Sequence, residues 1–287
     1  MRIAVVSDIH GNLPALEALL DDLRAHPVDL VVNLGDSVCG PLWPQETADR
    51  LRVLGWPTLA GNHERQVLTL PRSSMSLTDA QTDEAIDATT REWMRGLPPT
   101  AWVHEDIYAC HGTPDSDLHY LLETITDDFD AAQGRRGIRM AGPDEVRARL
   151  AAAPGIEPAR LPPVILCGHT HTPRALWVDG SLLLNPGSLG LPAYDDEHPH
   201  THWVENGSPH ARYAVLERTP AGWSAAQRLL AYDWTRAARR AESLGRGDWA
   251  DALSSGFVGR TEAQVLAARH EAADAMPRRP GAGTPWP

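Results

Sequence analysis

Five short clusters of metal-ligating side chains, each placed where an apolar run ends, constrain this chain more than any other feature. In order they are Asp8-x-His10 within the string SDIHGN, Gly35-Asp36, Gly61-Asn62-His63-Glu64, Cys110-His111-Gly112 and Gly168-His169-Thr170-His171. Each combines a carboxylate, amide oxygen or imidazole with a glycine that loosens the backbone. One such cluster would say little, since Asp8 alone reads equally well as a helix cap. Five of them, spread over the first two-thirds of 287 residues, read as one polynuclear metal site assembled from loops at one edge of a sheet.

The pattern between the clusters predicts that sheet. Residues 2–7 read as a strand, and Leu13, Leu16, Leu20 and Leu23 recur at helical spacing over 13–25. A second strand over 28–34, a helix near 45–54 and a short third strand over 57–60 complete a βαβαβ alternation. That implies parallel strands with helices on the faces and a site beyond their carboxyl ends. A helical stretch over 78–95 precedes mainly antiparallel strands at 101–104, 107–110, 164–167, 174–178, 181–184, 213–216 and 223–229, with Asp179-Gly180 as a hairpin turn. The reading is one domain over 1–230, a helical extension over 231–274 and a disordered tail over 275–287. The polar insert 112–160 and the loop 189–210 are expected near the site.

Composition narrows the function. The chain is 42% hydrophobic and 22% charged, which suits a soluble domain with a substantial core. No apolar stretch approaches the ~20 residues of a membrane helix. The start of the sequence has no signal-peptide pattern, so the expected location is the cytoplasm. A formal charge of -12 argues against extended nucleic-acid binding. All 26 basic residues are arginine, which excludes a P-loop or Schiff-base lysine. Of the three cysteines, Cys110 and Cys167 precede metal-ligand candidates in strands, so alternation turns them toward the core.

Two divalent ions held by Asp, Asn and His suit phosphoryl chemistry. A carboxylate must bridge two like charges, and Asp36 is the choice. Asp8 and His10, like His169 and His171, project from one side of an extended segment. Asn62 supplies a neutral oxygen. His63 is left to face the substrate, where it can protonate the leaving oxygen or stabilise developing charge on the phosphoryl group.

The ordered set D-x-H, G-D, G-N-H-E, H-G and G-H-T-H resembles the calcineurin-like metallophosphoesterase superfamily. SDIHGN, HGTP and NPGS at 185–188 are similar to its small bacterial branch of YfcE-like and diadenosine-tetraphosphatase-like phosphoesterases. The resemblance spans Met1 to about Leu229. It implies an α/β fold, a four-layer α/β/β/α sandwich of two mixed sheets. It also implies a first metal on Asp8, His10, Asp36 and His171, a second on Asp36, Asn62, His111 and His169, and His63 as the catalytic residue. The expected cofactors are two divalent ions, Mn²⁺ first, with Fe, Zn, Ni and Mg as alternatives. The expected reaction is hydrolysis of a phosphomonoester or phosphodiester by a metal-bridging hydroxide. The expected partner is a small phosphorylated substrate, nucleotides among the candidates, with assembly as a homo-oligomer left open. Dinucleoside polyphosphates and phosphoproteins are alternative substrates. A non-catalytic scaffold retaining the metal site is the rival class.

The remaining residues get plainer readings. Glu64 is expected to cap or orient rather than ligate. Arg65 and Asn12 are candidate substrate contacts. Trp43, in the loop after Asp36, is a candidate for stacking on a base. His198, His200 and His202 alternate as a metal site would, but Pro199 and the neighbouring acids favour a flexible solvated loop.

Overall fold

The computed structural model describes residues 1–151 and 161–275. The end of the polar insert, 152–160, and the expected tail from 276 onward lie outside the described residues. β1 (Arg2–Val6) and β2 (Leu30–Asn33) run parallel, joined by α1 (Leu13–Ala25). α2 (Pro44–Leu54), α3 (Asn62–Thr69), α4 (Leu77–Ala85) and α5 (Ala88–Arg95) follow. β3 (Thr100–His104) and β4 (Ile107–Cys110) pair antiparallel, as do β5 (Glu123–Ile125) and β6 (Ile138–Met140), ahead of α6 (Pro143–Ala151). Then come β7 (Val164–Leu166), β8 (Arg174–Val178), β9 (Ser181–Asn185), β10 (Ala193–Asp196), β11 (His202–Glu205), β12 (Ala211–Thr219) and β13 (Gly222–Leu230). α7 (Trp234–Ser243), α8 (Gly247–Ser255) and α9 (Glu262–Ala275) end the described chain.

Two mixed sheets, ordered β13-β12-β1-β2 and β3-β4-β7-β9-β8, pack face to face. Alternation along each strand makes the layers. Ile3, Val5, Val32 and Leu34 meet Ile107, Ala109, Val164 and Leu166 between the sheets. Their neighbours Ala4, Val6 and Val31 face outward onto Leu16, Leu19 and Leu20 of α1. Cys110 and Cys167 face the other way, onto Val146 and Leu150 of α6. The result is the expected α/β/β/α layering. Among the described residues no helix is long and apolar enough to cross a membrane.

Three expectations about the elements fail. The third strand over 57–60 shrinks to a single parallel bridge, Asn33 to Thr58, because Ala60 N–H already turns away to Pro98 O. The helix over 78–95 is broken in two, since Ser76 and Asp87 each cap a fresh start. The loop 189–210 is not a solvated coil. β10 and β11 form a hairpin within it, and His202 is fully buried while His198 and His200 stay exposed at the tip.

The extension over 231–274 supplies α7, α8 and most of α9. It packs through Ala237, Ala241, Trp249 and Leu253 against Leu42, Leu191 and Ala193. Arg246, 1% exposed, pairs with Asp248 and Glu262 and donates to Thr78 and Gln81 of α4.

At the start of β5, burial pushes the Glu123 carboxyl up to about 7, against the lowering influence of the Thr170 hydroxyl and the Arg174 guanidinium 3.9 Å away. A carboxyl raised on folding carries no penalty below its ordinary value of 4.5 and its full penalty above about 7. Glu123→Gln is therefore expected to stabilise the protein at about pH 8 by on the order of 3 kcal/mol and to change little at about pH 4. Urea melts at both pH values check this; equal shifts at both would assign the effect to packing instead.

Candidate metal centre

Backbone hydrogen bonds join four of the five loops in two pairs at one end of the two sheets. Asp8 N–H donates to Gly35 O, His10 N–H to Asp36 O and Gly11 N–H to Ser37 O. Gly168 N–H donates to His111 O, and Leu189 and Gly190 N–H donate to Ser7 O and Asp8 O. The NPGS string is a buttress here: Asn185 donates to Gly168 O and Thr170 Oγ1, and Ser188 Oγ donates to Asp8 O. Glycine is needed at Gly61, where a Cβ would lie 2.1 Å from Asp36 Oδ1, and at Gly168, where it would lie 2.0 Å from Ser7 Oγ.

Asp8, His10, Asp36, His169 and His171 all have positive φ, between 51° and 67°. Among the described residues the only other non-glycine with positive φ is Asp179, in the β8–β9 turn. Left-handed backbone at such residues costs energy and marks a functional constraint.

The side chains converge in two groups. Asp8, His10 and His171 form one, and Asp36, His111 and His169 the other, the donor atoms within each lying within 4.8 Å of one another. His10 Nε2 is 3.0 Å from His171 Nε2, and His171 Nε2 is 3.5 Å from Asp8 Oδ1. His111 Nε2 is 3.1 Å from both Asp36 Oδ2 and Asn62 Oδ1. Asp8 Oδ1 is buried without a hydrogen-bond partner, and two imidazole nitrogens face each other at 3.0 Å with at most one proton needed between them. Both features suit cation-binding positions. The donor set of carboxylate, amide oxygen and imidazole fits divalent ions of borderline hardness.

Each ring is aimed by its other nitrogen. His10, His111 and His171 turn Nδ1 to the carbonyls of Cys39 (2.7 Å), Leu34 (2.9 Å) and Leu191 (2.7 Å). A carbonyl only accepts, so Nδ1 carries the proton and Nε2 keeps its lone pair for the site. His169 is reversed, with Nε2 against Leu118 O at 3.2 Å and Nδ1 left for the site. Burial and repulsion from His171 pull His10 down to about 4, and burial and His111 pull His169 down to about 3, so both are neutral donors. Burial disfavours charge on Asp36, yet His111 and His63 hold its carboxyl well below the usual range.

His63 stands beside the groups, its ring 5.5 Å from that of His10 and its side chain 23% exposed. Its backbone N–H donates to Asp36 Oδ1, and its Nδ1 lies 2.6 Å from Asp79 Oδ1. Burial opposes charge on this ring, but the Asp36 and Asp79 carboxylates outweigh it and raise it to about 10. Glu64 accepts from Asp36, Ser37 and Gly61 N–H, tying the two loops together.

Two expected substrate contacts are otherwise engaged. Asn12 is fully buried, capping α1 through Ala15 N–H and donating to Gly190 O and Tyr232 Oη. The early Gly11-Asn12 turn makes it a cap, leaving no free polar edge. Arg65 is held bidentately by Asp117 at 2.6 and 2.8 Å. Trp43 is covered by the guanidinium groups of Arg236 and Arg240, so it is not a free stacking face.

Sequence reading missed Asp79, which follows the Ser76 cap of α4 in the first turn of that helix. It also missed Trp249, whose ring meets His10 edge-on at 5.8 Å. Beneath the ligand histidines, Tyr120 Oη joins Tyr194 Oη (2.7 Å) and His202 Nε2 (2.9 Å), and the two tyrosine rings lie against His169 and His171. Two cavities, of about 390 and 470 Å³, are lined by none of the candidate ligands.

Sequence comparison agrees with this geometry. The profile of the calcineurin-like phosphoesterase family matches residues 1–173, which contain all of the candidate ligands and His63. The chain belongs to the calcineurin-like phosphoesterase family. Uncharacterized protein MJ0912 of Methanocaldococcus jannaschii is 41% identical over 66 residues, a stretch covering 23% of this chain and only 27% of that relative. The fold resembles a metallophosphoesterase from Sphaerobacter thermophilus (TM-score 0.65, 23% identity, 90% of this chain and 99% of that one). It also resembles hypothetical protein PH1004 from Pyrococcus horikoshii OT3 (TM-score 0.66, 16% identity, 90% and 99%).

Proposed function

We propose that this protein is a dinuclear metal-dependent phosphoesterase that hydrolyses a phosphomonoester or phosphodiester of a small molecule in the cytoplasm. The observation that carries the reading is the pair of ligand groups, Asp8, His10 and His171 beside Asp36, His111 and His169, with His63 hydrogen-bonded to Asp36 and Asp79 at their edge. Asp8, His10, Asp36 and His171 would hold one ion, and Asp36, Asn62, His111 and His169 the other. Mn²⁺ is the first choice, and Fe, Zn, Ni and Mg suit the same donors. When bound, such a pair supplies charge neutralisation for the phosphoryl group and a lowered pKa for water.

The residues themselves do three things. The Nδ1-to-carbonyl hydrogen bonds hold the ligand rings in one tautomer and orientation, which limits reorganisation on ion binding. Asp36 and Asp79 keep His63 protonated, so a proton is ready at the exposed side of the ring for the leaving oxygen. Leu118, half-exposed, holds His169 Nε2 through its carbonyl, and the Arg65–Asp117 pair ties α3 to the same 113–119 loop. The test is turnover of bis-p-nitrophenyl phosphate and p-nitrophenyl phosphate by metal-free protein supplied with Mn²⁺. Metal-dependent hydrolysis of either is expected, and their ratio assigns diester or monoester preference. No turnover with any of the five metals would leave the non-catalytic scaffold as the better reading.

A further inference from the structure

A third group of potential ligands sits on the far side of His63. Cys39 comes from the loop after β2, His63 from the first turn of α3 and Asp79 from α4. One donor atom of each lies within 4.8 Å of the others. Cys39 is 0% and Asp79 1% exposed, while His63 opens to solvent and gives an ion its way in. Neither the Cys39 thiol nor the Asp79 carboxylate belongs to the two groups described above. This set differs from them in kind, because it contains sulfur. Sulfur, imidazole nitrogen and carboxylate oxygen with a fourth position open is a zinc donor set, and a thiolate selects thiophilic ions over Mn²⁺ or Mg²⁺.

We propose that Cys39, His63 and Asp79 form a third, inhibitory metal site that takes Zn²⁺ or a similarly thiophilic divalent ion. That the ion inhibits rests on the reading of His63 as the acid; that it binds does not. Coordination through Cys39 Sγ and His63 Nδ1 sends the protons on those atoms to solvent. A metal-coordinated thiol is deprotonated outright. The ring then keeps only its Nε2–H and no longer carries a positive charge. Giving that last proton away would leave an imidazolate, so the ring ceases to be a useful acid. The Nδ1 atom, now 2.6 Å from Asp79, must also share its lone pair with the ion, which fixes the ring toward Cys39.

Co²⁺ gives a direct optical test. Protein first loaded with Mn²⁺ is titrated with Co²⁺, with Cys39→Ser and Cys39→Ala run in parallel. Cys110 and Cys167 are buried against α6 and belong to no ligand group among the described residues. A thiolate-to-cobalt charge-transfer band in the near ultraviolet therefore reports Cys39 alone. The band is expected in the parent protein and absent from both variants. Zn²⁺ is expected to slow the parent by about tenfold or more, while each variant keeps most of its own zinc-free rate. Absence of the band overturns the site, and equal zinc inhibition of parent and variants overturns its inhibitory role. A band in a protein that turns over no phosphate ester supports the site and counts against the hydrolase reading instead.

Discussion

His63→Ala is expected to lower kcat by about 10²–10⁴-fold while both ions stay bound. The ring is not among the groups that converge on the two ion positions. Its hydrogen bond to Asp36 runs through the backbone N–H, which alanine keeps. Metal content measured after dialysis should therefore match the parent. The loss should depend on the leaving group. A p-nitrophenolate departs readily without a proton, whereas an alkoxide does not, so the variant should lose far more activity on an alkyl ester than on a p-nitrophenyl ester. Asp79→Asn should shift the same ratio in the same direction by less, since the imidazole remains but loses one of the carboxylates that keep it charged. An unchanged alkyl-ester rate in His63→Ala would remove His63 from the chemistry. Equal losses on both esters, with metal lost, would make it a structural support for the ion positions.

The parts legible in the sequence are those carried by local signals. α1 was visible because Leu13, Leu16, Leu20 and Leu23 fall on one face, and the site because its side chains lie within a few residues of a strand end. Strand alternation placed Cys110 in the core and left His111 to the site, whereas Cys167 and His169, two residues apart, are separated by the left-handed backbone at His169. What was hidden depends on long-range contact. Asp79 faces His63 only because α4 packs beside α3, and nothing near Asp79 announces that partner. The β10–β11 hairpin was read as solvated loop because its residues are acidic and histidine-rich, yet His202 is buried by Tyr120. Tertiary hydrogen bonding overrode local polarity there. Asn12 and Trp43 failed as substrate contacts for a related reason. Both lie in loops at the site, but Tyr232, Arg236 and Arg240, more than 180 positions away in sequence, cover them. The extension that supplies these residues also brings Trp249 to His10, so sequence far from the motifs shapes the centre.

Asp36→Asn should have the widest effect of any single conservative change, because in the proposed centre both ion positions draw on that carboxylate. Asp36 Oδ2 lies 3.1 Å from His111 Nε2, Oδ1 accepts from His63 N–H, and the negative charge bears on His10 as well. Asparagine keeps the shape and removes the charge. In the proposed centre Asp8 would then be the only first-contact carboxylate facing two dications. Loss of groups that merely orient ligands typically costs about 10–100-fold in metal affinity, and removal of a shared ligand charge should exceed that at both positions. The fold itself should tolerate the change, since Glu64 still ties Asp36 N–H, Ser37 N–H and Gly61 N–H together. The metal-free variant should therefore melt close to the metal-free parent. The difference should emerge on adding Mn²⁺. At an ion concentration about 100 times its dissociation constant, a ligand of the native state adds about 2.7 kcal/mol of stability. The parent should show that stabilisation and the variant very little of it. Metal analysis should find fewer than two ions per chain, and turnover should fall with occupancy. Two tightly held ions in Asp36→Asn would show that the positions are independent and that Asp36 does not bridge them.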